Sequence, residues 1–99
     1  MKKILLIGST GLIGKKLKSK LSKNFVLICP TKKNKFDVTK KIKLNKYLNE
    51  KIDIVINLSG QRNSNQKKMK ETIYRGNLNI LNLSKKIKKE ILLIYISSS

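Results

Sequence analysis

The chain has 99 residues, of which 39% are hydrophobic, and carries a formal net charge of +19 at pH 7. This length allows one small domain over residues 1–99 and excludes separate cofactor and substrate domains. No apolar run approaches the ~20 residues of a membrane-spanning helix, and the single cysteine, Cys29, leaves neither a disulfide framework nor a cysteine metal site. We predict a cytoplasmic domain with no membrane partner, no metal and a buried thiol at Cys29.

The positive charge does not by itself indicate a nucleic-acid partner. All basic residues except Arg62 and Arg75 are lysines, spread along the chain from Lys2 to Lys89. Proteins that read DNA sequence or bind single strands usually add arginine forks and aromatic stacking platforms. An AT-rich genome, which favours lysine, asparagine and isoleucine codons, explains the charge without a function. We expect weak binding to polyanions and no specific nucleic acid; a basic nucleic-acid-binding protein is kept as an alternative.

The first predicted elements are a strand over Ile4 to Ile7 and a turn built on Gly8, Gly11 and Gly14. A turn this sharp needs a positive φ, which assigns Gly8, and a diphosphate reaches the main chain only where no side chain intervenes, which assigns Gly11. Gly14 would let the following helix lie close to the strand. A flexible glycine loop in another kind of α/β protein is the alternative interpretation.

A helix over residues 12–23 is predicted behind the turn, because Ile13, Leu17 and Leu21 recur at helical spacing with lysines between them. The main-chain N–H groups of its first turn, around Leu12 and Ile13, have no partner within the helix and point at the anion. The glycine turn and this helix start therefore form a predicted phosphate site.

Further apolar runs over 25–29, 52–58 and 91–96 predict three more strands, continuous enough to be buried on both faces of a sheet. Between them we predict a short helix over 39–51, capped by Thr39, and a longer helix over 67–89 with an apolar stripe made of Met69, Ile73, Gly76, Ile80, Leu83 and Ile87. Alternating strands and helices predict right-handed crossovers and a Rossmann-like, doubly wound parallel α/β sheet of at most about five strands, with helices on both faces.

Four segments carry a family resemblance: Gly8 to Gly14, Phe36-Asp37-Val38, Val55 to Gly60, and a fourth made of Gly76, Asn79, Leu81 and then Tyr95 to Ser99. Together they resemble the extended short-chain dehydrogenase/reductases, also described as NAD-dependent epimerases/dehydratases acting on nucleotide sugars. The likeness covers essentially all 99 residues, which match only the first part of a family member of ordinary length. The chain is thus interpreted as an N-terminal portion of such a protein.

The resemblance implies a set of site residues. The cofactor diphosphate would lie on the turn, the adenine against Asp37 and Val38, and the cofactor beside the strand end of Leu58, Ser59 and Gly60. The residues implied at the turn are Gly8, Thr10, Gly11, Leu12, Ile13 and Gly14. Ser99, the third serine of the terminal triplet, would hydrogen-bond the substrate oxygen, and a disordered serine tail is the alternative.

The end of the second predicted strand bears on the choice of cofactor. NAD-specific members of the family have an acidic residue there, whereas this chain has Cys29-Pro30-Thr31-Lys32-Lys33. A lysine pair attracts a 2′-phosphate, so NADP is favoured over NAD, with Lys32 as the candidate ligand and solvated loop lysines as the alternative. In the fourth segment Ile73 and Asn77 replace the asparagine and threonine common in the family, which weakens the prediction of site contacts from that helix.

The family's chemistry also needs a Tyr-x-x-x-Lys pair, in which the lysine lowers the tyrosine pKa for proton transfer during hydride transfer. In the family this pair lies beyond the serine triplet, and Tyr74 here is followed four residues later by Leu78. We therefore predict the NAD(P)-binding portion of a nucleotide-sugar epimerase, dehydratase or reductase, inactive alone, with a nucleotide-sugar substrate and a homodimer allowed for the intact protein. The alternative is a non-catalytic NADP-binding regulator of the same fold.

Overall fold

The computed structural model describes residues 1–59, 65–87 and 90–95. Its elements, in chain order, are β1 (Lys3–Ile7), α1 (Leu12–Leu21), β2 (Val26–Ile28), a 3₁₀ turn (Lys32–Asn34), α2 (Lys41–Asn45), β3 (Ile54–Asn57), α3 (Gln66–Lys86) and β4 (Leu92–Tyr95). The four strands of the described ranges form one parallel sheet in the order β2-β1-β3-β4. Each strand coincides with one of the four predicted apolar runs, although β1 begins one residue earlier, at Lys3. The described sheet thus has one strand fewer than the upper limit set from the sequence.

The sheet is covered on both faces, as its continuous apolar strands predict. On one face, Leu5 and Ile7 of β1 belong to a buried cluster that includes side chains of α2 and α3. On the other, Ile4 and Leu6 belong to a second cluster, against which α1 packs. Helices on the two faces of a parallel sheet confirm the predicted doubly wound α/β fold.

The predicted apolar stripe of α1 is wrong at one position. Ile13 is 52% exposed, whereas the buried residue of this helix is Gly14. Leu17 and Leu21 do pack against the sheet, as predicted. The first turn of α1 contacts the main chain after β1 through a glycine, because the approach there is too close for a side chain, and this rotates Ile13 towards solvent. The helix also ends at Leu21, earlier than predicted.

The predicted cap of α2 is also wrong. The main-chain N–H and the hydroxyl of Thr39 both donate to Asp37 Oδ1, at 2.9 and 2.7 Å. The N-cap of α2 is Lys40, and the helix covers only Lys41–Asn45. Aspartate side chains accept such bonds from the residue two positions ahead, and these local turns compete with helix capping.

The long helix is confirmed, with an earlier end. In α3, Gly76 and Ile80 of the predicted stripe are buried, and the other stripe residues are half-buried. Asn65 caps the helix by accepting from the N–H groups of Lys67 and Lys68 at 3.0 and 3.2 Å. In the part of the chain that the structure describes, neither α3 nor another helix is long and apolar enough to cross a membrane.

Candidate functional site

The turn after β1 lies at the carboxyl edge of the sheet, between β1 and β3. Gly8 has φ +85°, a left-handed conformation that strains residues with a Cβ. A Cβ here would also lie 2.9 Å from the carbonyl carbon of Leu58 and 3.1 Å from the nitrogen of Ser59. The Leu58 N–H in turn donates to the Ile7 carbonyl at 2.9 Å. Gly8 therefore makes the turn, as predicted, and the turn packs directly against the end of β3.

Gly14 brings α1 onto this turn. A Cβ at Gly14 would lie 2.4 Å from the Gly8 carbonyl oxygen and 2.7 Å from the Ser9 Cα. Both atoms belong to the main chain and cannot rotate away. The expected close approach of the helix at the third glycine is therefore confirmed, and its immediate partner is the turn that follows β1.

Gly11 differs from the other two glycines of the turn. It is the N-cap of α1, with φ −72° and ψ 171°, an extended conformation that other residues adopt easily. Its carbonyl accepts the first bond of the helix, from the Lys15 N–H at 2.9 Å. The main-chain conformation therefore gives no reason for a glycine at position 11.

The start of α1 has the geometry of an anion site. Its first turn, which lies within the described residues, contains no acidic residue, and its N-cap, Gly11, has no side chain that could accept from these N–H groups. The N–H groups at the start of a helix have no acceptor within the helix and carry a partial positive charge. Leu12 and Ile13 are exposed beside them. This arrangement can bind a phosphate or diphosphate through main-chain N–H groups.

The end of β2 lies next to the turn. Thr10 is exposed and Ser9 is buried. Burial raises the pKa of the Cys29 thiol, while the charge of Lys18 and a hydrogen bond with Ser9 oppose that rise. The prediction of a buried strand thiol at Cys29 is wrong: Cys29 is half-buried, because β2 ends at Ile28 and is the outer strand of the described sheet.

The two predicted adenine residues differ in exposure. Asp37 is exposed, and its Oδ1 is the acceptor of the Thr39 turn. Val38 is only 4% exposed; its carbonyl accepts from Asn79 Nδ2 at 3.1 Å. Val38 Cγ1 lies 2.9 Å from where a Cβ of Gly76 would be. Asp37 is thus accessible to a ligand, whereas Val38 mainly packs against α3.

The predicted 2′-phosphate residue, Lys32, lies on the 3₁₀ turn after β2. Thr31 and Asn34 form a capping box around this turn, in which the Thr31 N–H donates to Asn34 Oδ1 at 3.1 Å. Lys35 closes it with φ 57°. Lys32 and its neighbour Lys33 are exposed on a turn whose main chain is held at both ends.

An asparagine pair at the end of β3 was missed by the sequence predictions. Asn57 is 2% exposed, and its Nδ2 donates to Asn77 Oδ1 of α3 at 2.9 Å. Its Oδ1 accepts from both the N–H and the hydroxyl of Ser59, the N–H at 3.0 Å. A polar residue at the end of an otherwise apolar strand was the available signal, since buried polar groups need partners.

The sequence predictions also missed one Tyr-x-x-x-Lys pair. The spacing Tyr-x-x-x-Lys does occur in this chain, at Tyr47 and Lys51. The Tyr47 ring packs edge-to-face on Phe36, with centroids 5.4 Å apart. Lys51 is exposed and precedes β3, whose first residue is Ile54, so it lies at the amino edge of the sheet. This pair does not adjoin the glycine turn, and it precedes β3 instead of following the serine triplet.

The parallel sheet determines where the other predicted residues within the described ranges lie. Gly8, Leu58 and Ser59 lie together at its carboxyl edge, where Tyr95 ends β4. Gly60 and Ser99 lie outside the described residues. Within the described ranges there is no group of three or more His, Cys, Asp or Glu side chains that could hold a metal ion.

These features define a class of protein. The chain crosses from β1 to β2 on one side and then to β3 on the other, so the glycine turn lies at the switch point of the sheet, where ligands of doubly wound folds bind. This is a Rossmann-like α/β domain. Residues 4–99 match the model of the NAD dependent epimerase/dehydratase family, and the chain belongs to this family. The comparison with curated proteins gives no match.

Several solved structures are similar. A dTDP-4-dehydrorhamnose reductase, an RfbD ortholog from Clostridium acetobutylicum, is 26% identical with a TM-score of 0.68, covering 90% of this chain and 34% of that one. RMD from Pseudomonas aeruginosa, complexed with NADPH, is 25% identical with a TM-score of 0.69, covering 100% of this chain and 36% of its own. A GDP-L-fucose synthetase from Naegleria fowleri, bound to NADP, shares the fold at 22% identity and a TM-score of 0.67, covering 95% of this chain and 30% of its own. The chain spans about a third of the length of these three proteins and 54% of a small-chain dehydrogenase.

Proposed function

We propose that the chain binds the diphosphate of a nicotinamide dinucleotide at the turn from Gly8 to Gly14. The observation that carries this proposal is the contrast among the three glycines. Gly8 is required by its positive φ and Gly14 by main-chain contact, whereas Gly11 has an ordinary extended conformation. A ligand that must touch the main chain supplies the missing reason for a glycine at 11. The bound NADPH and NADP of two similar structures support the same assignment.

The remaining contacts of the proposed site are those that the family resemblance implies. Thr10, Leu12 and Ile13 would adjoin the diphosphate, and Leu58, Ser59 and Gly60 would pass beside the cofactor. Asp37, which is exposed, would accept from the adenine amino group. Val38 offers little surface for the adenine ring, so in this proposal it chiefly supports the position of Asp37.

We further propose NADP as the preferred cofactor, with Lys32 as the 2′-phosphate ligand. Lys32 and Lys33 are exposed on the turn after β2, and this stretch offers no carboxylate to the ribose hydroxyls. A positive side chain at this position favours a 2′-phosphate over free hydroxyls.

The proposed biological role is that of the cofactor-binding portion of a nucleotide-sugar reductase, epimerase or dehydratase. Its support is the family membership together with the two nucleotide-sugar enzymes among the similar structures. The only Tyr-x-x-x-Lys spacing in the sequence, Tyr47 to Lys51, lies away from the glycine turn. We therefore expect no turnover of nucleotide sugars by these 99 residues, and measurable turnover would contradict this. Ser99 as a substrate ligand, a homodimer and a cytoplasmic location stay predictions.

A titration of NADPH fluorescence with the 99-residue chain tests the proposal. We expect saturable binding by the wild type and at least a tenfold higher dissociation constant for Gly11→Val, roughly 1.4 kcal/mol of lost binding energy. Ser19→Val, a small-to-valine change on the exposed side of α1, is the matched control and should bind normally. Binding to heparin should be the same in all three proteins, because it depends on bulk charge. Saturable NADPH binding that survives Gly11→Val would contradict the proposed site.

A further inference from the structure

The asparagine pair at the end of β3 connects α3 to the glycine turn. Asn57 Nδ2 donates a hydrogen bond to Asn77 Oδ1 of α3 at 2.9 Å. Asn57 Oδ1 accepts a second hydrogen bond from the Ser59 N–H at 3.0 Å. The Ser59 nitrogen in turn lies 3.1 Å from where a Cβ of Gly8 would be, so Ser59 forms one wall of the turn.

The direction of the Asn57 amide is set by its two neighbours. Ser59 presents a main-chain donor, so the Asn57 oxygen must face Ser59 and the Asn57 amino group must face α3. Asn77 then has to present its oxygen. Because Asn57 is 2% exposed, water cannot replace that acceptor, and without it the amide is driven to rotate and find another partner. Rotation would turn an amino group towards the Ser59 N–H and break the bond that fixes Ser59.

Gly76 permits this connection. A Cβ at Gly76 would lie 3.4 Å from Asn57 Nδ2 and 2.9 Å from Val38 Cγ1. The glycine therefore lets α3 approach β3 closely enough for the next residue, Asn77, to reach Asn57. Asn77 is also one of the two positions at which this helix departs from the family pattern, and here it has a defined contact.

We propose that Asn57 and Asn77 are positioning residues of the dinucleotide site, which fix the main chain of Ser59 against the Gly8 turn. This inference rests on the proposed function for its ligand. Neither asparagine needs to touch the cofactor: Asn77 acts on Asn57, Asn57 on Ser59, and Ser59 on the turn. Loss of the Asn77 acceptor loosens the Ser59 wall while leaving the β1–β3 ladder intact.

Amide hydrogen exchange measured by NMR, combined with NADPH titration, tests the proposal. Asn77→Leu removes the acceptor at similar size, Asn77→Asp keeps an acceptor oxygen, and Asn82→Leu is the matched control at an exposed asparagine of the same helix. In Asn77→Leu we expect the Ser59 N–H to exchange about tenfold faster and the NADPH dissociation constant to rise about three- to tenfold. The Leu58 N–H, which bonds to Ile7, should keep its wild-type rate.

The controls separate positioning from general loosening. Asn77→Asp should restore slow exchange at Ser59, and Asn82→Leu should change neither readout. Three outcomes would overturn the inference. Exchange in Asn77→Leu could accelerate equally at Leu58 and Ser59, or the Ser59 exchange could stay unchanged in that variant. Asn82→Leu could also have an effect as large as that of Asn77→Leu.

Two measurements on the wild-type chain test the inference independently of the variants. The side-chain amide protons of wild-type Asn57 should exchange slowly, and fast exchange would overturn the first step even if no variant folds. Absence of NADPH binding by the wild type would overturn the proposed function and the effect on affinity, whereas the Ser59 rates decide on the connection itself. The two failures are therefore distinguishable.

Discussion

The carbonyl oxygen of Gly8 lies 2.4 Å from the position that a Cβ of Gly14 would occupy. The start of α1 therefore rests on the main chain of the turn that precedes it. Because Gly8 also contacts the end of β3, this one turn joins β1, α1 and β3. The close contact between Gly14 and the main chain of Gly8 leaves no space for a methyl group at position 14.

Gly14→Ala should strongly destabilise the fold. The added methyl group meets main-chain atoms that cannot move aside, so we expect a loss of about 3 kcal/mol in the free energy of unfolding, at the upper end of overpacking costs. Gly11→Ala is the matched comparison; its extended conformation accepts alanine, and the change should cost about 1 kcal/mol or less, since alanine is a poorer helix N-cap than glycine. Urea denaturation followed by circular dichroism measures both. Equal losses for the two variants would refute the division of roles between these glycines.

Lys32→Glu should shift the cofactor preference. Reversing the charge beside a 2′-phosphate should raise the NADPH dissociation constant about five- to tenfold, a modest factor because exposed charge pairs are individually weak. NADH has no 2′-phosphate, so its binding should be nearly unchanged. Lys51→Glu makes the same change in net charge at the amino edge of the sheet and should affect neither cofactor. Titrations of NADPH and NADH with all three proteins measure this. Tighter binding of NADH than of NADPH by the wild type would rule out the NADP preference.

Leu81→Lys should reduce self-association. A groove of about 430 Å³ lies between α3 and β4 and is lined mainly by apolar side chains, including Tyr74, Leu81 and Tyr95. Leu81 is 48% exposed, and β4 has no further strand beside it among the described residues, so this face is expected to make the chain aggregate. Ile42→Lys is the control, because Ile42 is similar in size to Leu81, is 78% exposed and lies outside the groove. Sedimentation velocity should show more monomer for Leu81→Lys only; an equal gain from Ile42→Lys would point to added charge instead.

Cys29 should react slowly with iodoacetamide at neutral pH. Burial raises the pKa of its thiol, so the reactive thiolate forms only at a higher pH than in a free cysteine, and the midpoint of the rate profile moves upward. If the dinucleotide lies on the glycine turn, bound NADPH should slow the reaction further, because Ser9 of this turn is one of the groups that influence the pKa of the Cys29 thiol. Mass spectrometry of the alkylated chain between pH 7 and about pH 10 follows both effects. A profile like that of free cysteine would disprove the burial effect.

The sequence predictions succeeded where the constraint is local. The positive φ of Gly8 and the contact of Gly14 with Gly8 and Ser9 follow from a turn between a strand and a helix, and both lie within a few residues of the chain. The stripe of α3 follows from helical periodicity alone. The central position of β1 agrees with its uninterrupted apolar run, since a strand with neighbours on both sides and helices on both faces has no exposed side.

The sequence predictions failed where distant segments or competing local bonds decide. Asn57 and Asn77 are partners only because Gly76 lets α3 approach β3, and no periodic pattern contains that contact. Thr39 fits the pattern of a helix cap, but Asp37, two residues earlier, competes successfully for its N–H. Ile13 fits an apolar stripe, but the close approach at Gly14 determines which side of α1 faces the sheet.

The most direct test of the diphosphate assignment is a map of main-chain amide shifts by ¹H–¹⁵N NMR as NADPH is added to the labelled chain. If the N–H groups of the turn and of the first turn of α1 bind the diphosphate, the largest shifts will fall on residues 8–14, with Ser59 among the next. They should saturate with the fluorescence titration and vanish in Gly11→Val. Shifts spread over the lysines of α1 and α3, with the signals of residues 8–14 unchanged, would contradict the diphosphate assignment.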